Sequence, residues 1–243
     1  MEAFDLNVAD ARWLIRTAEL LSNQRVNRMR RELRTKVGEA LQVNLGDRDG
    51  LDCVENSDLF IVIKPSATID RAHMKTLDPL LRQSVVAAAA ALETYVADEV
   101  SRRIAVHLVK GSSLPAKLAG LSISVGDWKM LEDNYTRRRR AIRENLLEPK
   151  IRELASTAPS QIGLLLGMLG VKDWSRKVDS SRHVPRTTTV KELDDLTKRR
   201  NRIAHEGDRR GYGRAAISVA EASRYADVVD SVALALEDVL NSI

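Results

Sequence analysis

The segment Arg199-Arg200-Asn201-Arg202-Ile203-Ala204-His205-Glu206-Gly207 gathers cations, an amide and a histidine at the end of one helix-forming stretch. An arginine carries a permanent charge on a planar fork of N–H donors that matches phosphate oxygens, and a histidine takes or gives a proton near neutral pH. Together these types suit phosphodiester chemistry. Geometry adds a complication, because Arg200 and His205 lie about 140° apart around an ideal helix and share a face only loosely. Gly207 reads as a C-terminal stop, which puts His205 in the last turn, where fraying and a second subunit can bring the groups together. A plainer reading is that the cations complement the helix dipole and the histidine is a cap.

The elements that must position this segment come next. Thr189-Val190-Lys191-Glu192 matches a capping box, so the motif helix is predicted to start near Thr189, with Val190, Leu193, Leu196 and Ile203 as its buried stripe. A second box, Ser218-Val219-Ala220-Glu221, opens a terminal helix whose apolar face is Tyr225, Val228, Val229, Val232, Leu236 and Leu240. The two form a helical hairpin joined by Asp208 to Ala216. Upstream, Asp78-Pro79 reads as an N-cap and first-turn proline opening a helix through Val85, Ala89, Leu92, Val96 and Ile104. Val8, Ala11, Leu14, Ile15, Ala18 and Leu21 recur at helical spacing, and Val26 to Leu41 prolong the pattern as one helix or two. Leu59 to Ile63 is a short strand or a buried extended piece. A loop at Gly120 to Gly126 precedes a helix from Trp128 to about Leu146. Ile162 to Leu169 is a short apolar helix between Pro159 and Gly170, and Arg176 to Arg186 reads as a loop.

Composition agrees with an all-α fold. The 243 residues are 44% hydrophobic but only 4% aromatic, and alanine, leucine, arginine and glutamate are abundant, which favours helices over a sandwich or barrel. The expectation is one domain spanning 1–243, with 110–185 as an insertion or an elaboration of the core. A single cysteine, Cys53, excludes an internal disulfide framework and a cysteine-based metal cluster. His73, His107 and His183 lack ligand spacing, so neither metal nor cofactor is expected. There is no Gly-rich loop ending in lysine and no Gly-x-Ser-x-Gly elbow, which argues against a nucleoside triphosphatase or a serine hydrolase. The start of the chain is acidic and no apolar run approaches a membrane span, so a cytoplasmic protein without membrane contact is expected.

A net charge of +5 is mildly suggestive of a polyanionic partner. Arginines cluster at 25–36, at 137–140, at 176–186 and at Arg209, Arg210 and Arg214, the last two groups bracketing the motif helix. Arg209-Arg210-Gly211-Tyr212-Gly213-Arg214 interleaves cations, glycines and an aromatic, a composition able to grip a single strand by phosphate contact and base stacking. It also suits a flexible hairpin loop. Arg199 and Arg202, flanking the motif, are expected to be solvated or to contact phosphate.

Arg200-Asn201-x-x-x-His205 resembles the Arg-polar-x-x-x-His signature of the HEPN superfamily, of the RiboL-PSP-HEPN kind: all-helical proteins that include many metal-independent ribonucleases. Leu92-Glu93-x-Tyr95 within Val85 to Val100 looks like the second long helix of that superfamily, and Glu93 either faces the motif arginine, as the resemblance implies, or is a plain surface carboxylate. Lys110 to Pro185 matches only loosely. One HEPN subset carries a tyrosine two residues after the histidine. Here that position is Gly207, so control by tyrosine modification is not expected.

The resemblance implies a helical bundle forming a two-fold dimer with a composite cleft. It also implies RNA cleavage in which the substrate's 2′-hydroxyl attacks phosphorus and leaves 2′,3′-cyclic phosphate and 5′-hydroxyl ends. His205 is then the general base or acid, Arg200 the clamp on the non-bridging oxygens and Asn201 an orienting group. A toxin or effector in prokaryotic defence, restrained by an antitoxin or other regulatory protein, is the corresponding role. The alternative is a HEPN-like RNA-binding or protein-interaction scaffold without catalysis.

Overall fold

Helices form where apolar residues recur every three or four positions. The computed structural model describes residues 2–23, 77–109, 113–133, 142–211 and 213–242. Leu59 to Ile63, Cys53, His73, the arginine groups at 25–36 and 137–140, and Tyr212 lie outside the described residues. The chain divides into two units, residues 1–15 with 80–243, and residues 16–79. In the second unit the described part is the end of helix α1 (Glu2–Asn23), with an Arg16–Glu19 ion pair at 3.2 Å, and the opening residues of helix α2 (Asp78–Ile104).

In the first unit, Phe4, Val8, Ala11 and Ile15 form the buried stripe of α1. Helix α2 is buried on most sides, through Val85, Ala88, Ala89, Ala91, Leu92, Tyr95, Val96, Ala97 and Val100. A helix apolar all round belongs at the centre of a core. The Phe4 ring meets Tyr95 with centroids 5.1 Å apart and planes at 53°, a favourable tilted pair.

After a 3₁₀ turn at Ala105–Leu108 come the short α3 (Ala116–Ala119) and α4 (Val125–Asp133). Helix α4 starts three residues before the Trp128 expected from sequence. Ser124 and Asp127 form a reciprocal cap: Asp127 Oδ2 accepts the Ser124 N–H at 2.8 Å and Ser124 Oγ accepts the Asp127 N–H at 3.1 Å. A π turn at Ile142–Leu147 runs into α5 (Glu148–Leu154). Then follow α6 (Pro159–Met168), as its flanking proline and glycine predicted, and α7 (Trp174–Ser181). The expected loop at Arg176 to Arg186 is corrected here, since its first half is α7.

The motif helix is α8 (Thr188–Glu206) and the terminal one α9 (Val219–Asn241). Between them lies a two-stranded antiparallel ribbon, β1 (Arg209–Arg210) and β2 (Gly213–Arg214), the sole sheet among the described residues. Helix α8 packs against α6, α7 and α9, burying Leu193 and Leu196 completely, about 1.5–3 kcal/mol each. Polar ties add direction to that packing. Asp195 of α8 accepts from Arg224 at 2.7 Å and from the Tyr225 hydroxyl at 3.0 Å, both on α9. Among the described residues the fold is all-α apart from the ribbon.

Candidate active site

The frame of the motif begins at the start of α8, and there the expected capping box does not form. Thr187 is the N-cap and makes no side-chain cap bond. Instead Asp179, near the end of α7, accepts the Thr187 N–H at 2.7 Å on one carboxylate oxygen and the Thr189 N–H at 2.9 Å on the other. One buried carboxylate thus satisfies two orphan donors and brings negative charge to the positive end of the helix dipole. Burial pushes the Asp179 carboxyl up, but the hydrogen bonds from Thr189 and Thr187 and the Arg182 charge outweigh it and hold it below its ordinary value. Glu192, left out of the box, pairs with Arg182 at 2.8 Å. The second box behaves as predicted at its serine: Ser218 Oγ accepts the Glu221 N–H at 3.1 Å.

At its other end α8 stops at Gly207, whose φ of 60° is the left-handed conformation that glycine adopts at least cost. The Gly207 and Asp208 N–H groups both reach the Arg202 carbonyl, the latter at 2.9 Å. The helix is regular through Glu206, so the fraying expected to bring Arg200 and His205 together is absent.

Asp208, fully buried, is the centre of a charge network that sequence reasoning missed. Arg199 Nη1 donates to its Oδ1 at 2.6 Å and Arg82 Nε to its Oδ2 at 2.8 Å. Arg199 Nη2 donates to the Ala216 carbonyl and Arg82 Nη2 to the Ala215 carbonyl, each at 2.8 Å. Arg199 Nε faces Glu221 Oε1 at 3.0 Å. Two cations and two carboxylates balance, and burial is tolerable because each charge is paired and each guanidinium also reaches one carbonyl. The expected phosphate contact by Arg199 is corrected accordingly: its side chain is 7% exposed and all three guanidinium nitrogens are committed.

Arg200, one position on, turns toward α2. Its Nη2 lies 3.3 Å from Glu93 Oε2 and its Nη1 donates to Asn201 Oδ1 at 3.0 Å. The Arg200 side chain keeps 28% exposure against 17% for Glu93. Burial raises the Glu93 carboxyl above its ordinary value, and the opposing influences of Arg200 and of a hydrogen bond from the Thr157 backbone are smaller. The Thr157 backbone is itself held. Thr197 gives its single hydroxyl proton to the Leu193 carbonyl at 2.7 Å, so the 2.8 Å contact between the two threonine hydroxyls is donated by Thr157.

His205 is exposed and, among the described residues, has no hydrogen-bond or ionic partner. Arg202, Arg209, Arg210 and Arg214 are exposed as well. The structure therefore joins Arg200, Asn201 and Glu93 in one cluster, and places His205 about 7.5 Å further along the axis of α8 on another side. Among the described residues no group of three or more His, Cys, Asp or Glu is gathered to hold a metal ion, and no helix is long and apolar enough to cross a membrane.

The all-helical bundle fits the HEPN class, a superfamily of nucleases and RNA-binding proteins. The family model RiboL-PSP-HEPN matches residues 55–242, and the chain belongs to that family. No curated protein and no solved structure matches it.

Proposed function

We propose that the protein is a metal-independent endoribonuclease that works as a two-fold dimer. The observation that carries this reading is the contrast within one helix: Arg200 is half-buried and aimed by Glu93, whereas His205 stands exposed with no hydrogen-bond or ionic partner among the described residues. The 2′-hydroxyl of RNA attacks the adjacent phosphorus as its proton passes to a base. The P–O5′ bond breaks, the 5′-oxygen takes a proton, and 2′,3′-cyclic phosphate and 5′-hydroxyl ends result. His205 serves as base or acid, and Arg200, with Asn201 orienting, meets the charge that builds on the non-bridging oxygens. Because Arg200 and His205 of one copy face different sides, a second copy of the motif across a two-fold axis completes the cleft and supplies the second proton-transfer group. A toxin or effector in prokaryotic defence, held in check by an antitoxin or other regulatory protein, is the role this chemistry fits.

A second reading, a HEPN scaffold without catalysis, is favoured by one observation: both terminal nitrogens of Arg200 already have protein partners. The test is cleavage of total cellular RNA by purified protein in EDTA, beside Arg200→Ala and His205→Ala variants of verified folding and oligomeric state. Each variant should lose about 10²–10⁴ in rate. Unchanged cleavage in His205→Ala, or 5′-phosphate products that require Mg²⁺, sinks the mechanism. Intact RNA in every arm favours the scaffold.

A further inference from the structure

Resting on the RNA reading, we propose that Arg209 and Arg214 act as one phosphate clamp, binding the substrate strand beside the scissile bond and apart from the chemistry. The two residues are direct cross-strand partners in the ribbon. The Ala215 N–H bonds the Asp208 carbonyl at 2.8 Å, one step outside that pair. This makes Arg209 and Arg214 a non-hydrogen-bonded pair, the closely spaced kind, with Cα atoms about 4.5 Å apart and side chains on one face. Asp208 and Ala215 at the root are buried, and beyond them both residues of each strand, Arg209 and Arg214 included, are exposed.

Like charges placed directly opposite one another destabilise a strand pair. Neither arginine has a carboxylate partner among the described residues to relieve that repulsion, although the chain spends carboxylates freely on Arg82, Arg199 and Arg200 nearby. An anion bridging both guanidinium forks removes the repulsion, and a phosphodiester oxygen pair fits such forks. The ribbon is also rigid at its root, where Arg82 and Arg199 hold Asp208 and the Ala215 and Ala216 carbonyls. A fixed root spares the clamp the ordering cost that a floppy basic loop incurs on binding. Arg209 is four residues from His205, so their Cα atoms are at most about 14 Å apart, which keeps the clamp on the strand being cut. Arg210 alternates to the other face, opposite Gly213.

The experiment is binding of a single-stranded 2′-O-methyl oligoribonucleotide, which lacks the attacking hydroxyl, across a salt series, with cleavage kinetics on the unmodified strand. Arg209→Gln with Arg214→Gln should weaken binding about tenfold and flatten the log–log salt slope by about 1.4, two phosphates' worth on a single strand. KM should rise with kcat unchanged, whereas a merely misfolded ribbon lowers kcat through His205. Arg210→Gln is the control and should flatten the slope by less than half as much. Flattening by half as much or more in Arg210→Gln, the same effect per charge as in the double variant, means diffuse charge and overturns the clamp, as does an unchanged slope in the double variant. Failure of the wild-type protein to bind the oligonucleotide at low salt overturns the RNA reading itself, and the clamp with it.

Discussion

Two arginine environments lie within a few residues of each other and teach opposite lessons. At the root of the ribbon, Arg199 is desolvated, and every nitrogen meets a carboxylate or a carbonyl. Around the end of α8 and on the ribbon, Arg202, Arg209 and Arg214 stay in water without a carboxylate partner among the described residues. Arg200 stands between these extremes, partly exposed on a single carboxylate 3.3 Å away. The same side chain is architecture where its charge is neutralised in the core and accessible to an anionic ligand where it is not. Completeness of pairing, rather than position in the motif, separates the two.

The sharpest way to break that contrast is Asp208→Asn, which removes the buried carboxylate that Arg82 and Arg199 share. Urea unfolding should register a loss of about 3–5 kcal/mol, as for removal of one partner from a buried pair. A loss below about 1 kcal/mol means the network is solvated and the contrast false. A smaller effect is expected at the other end of α8. Asp179→Asn keeps one acceptor oxygen but surrenders the charge at the helix N-terminus, at a cost of about 0.5–2 kcal/mol.

The sign of the accompanying pH dependence follows from the lowered carboxyl of Asp179. A depressed folded value means that the stabilisation is complete above the ordinary aspartate value and fades as pH falls through the folded one. Acid unfolding of the wild type should therefore carry a component that Asp179→Asn lacks, read by circular dichroism on titration. An identical acid transition in the two proteins removes Asp179 from the account.

Glu93→Gln should have the least effect on stability. Burial raises its carboxyl, so ionisation of Glu93 in the fold works against stability as pH climbs through the interval from the unfolded to the folded value. Its neutral isostere is expected to stay within about 1 kcal/mol of wild type, because Arg200 retains enough exposure to be hydrated. A drop of more than about 2 kcal/mol places Arg200 with Arg199 among the structural arginines.

How far the sequence revealed this arrangement depended on the range of the interactions. Helix α6 between Pro159 and Gly170, the stop at Gly207 and the Ser218 cap were legible, since each rests on neighbours within a few residues. Local spacing misled at Thr189 to Glu192, where the matching residues were present but Asp179, ten positions away from Thr189, had already taken the donors. It misled again at Arg199, whose burial depends on Arg82 and Asp208, 126 residues apart. Helix α7 was missed because Trp174 to Ser181 is rich in polar and charged residues, and only Val178 and Asp179 are buried. Of the candidate site, the pairing of Arg200 with a carboxylate on α2 came from family resemblance rather than from spacing.

The ties that meet at Asp208 also set an order in time. Ala215 and Ala216 supply carbonyls and Glu221 a carboxylate, and all three follow His205 in the chain. A growing polypeptide that has just added His205 holds every letter of its motif but, of the brace at the ribbon's root, only Arg82 and Arg199. The ribbon is thus fixed at its root only once the first turn of α9, with Glu221, has been added.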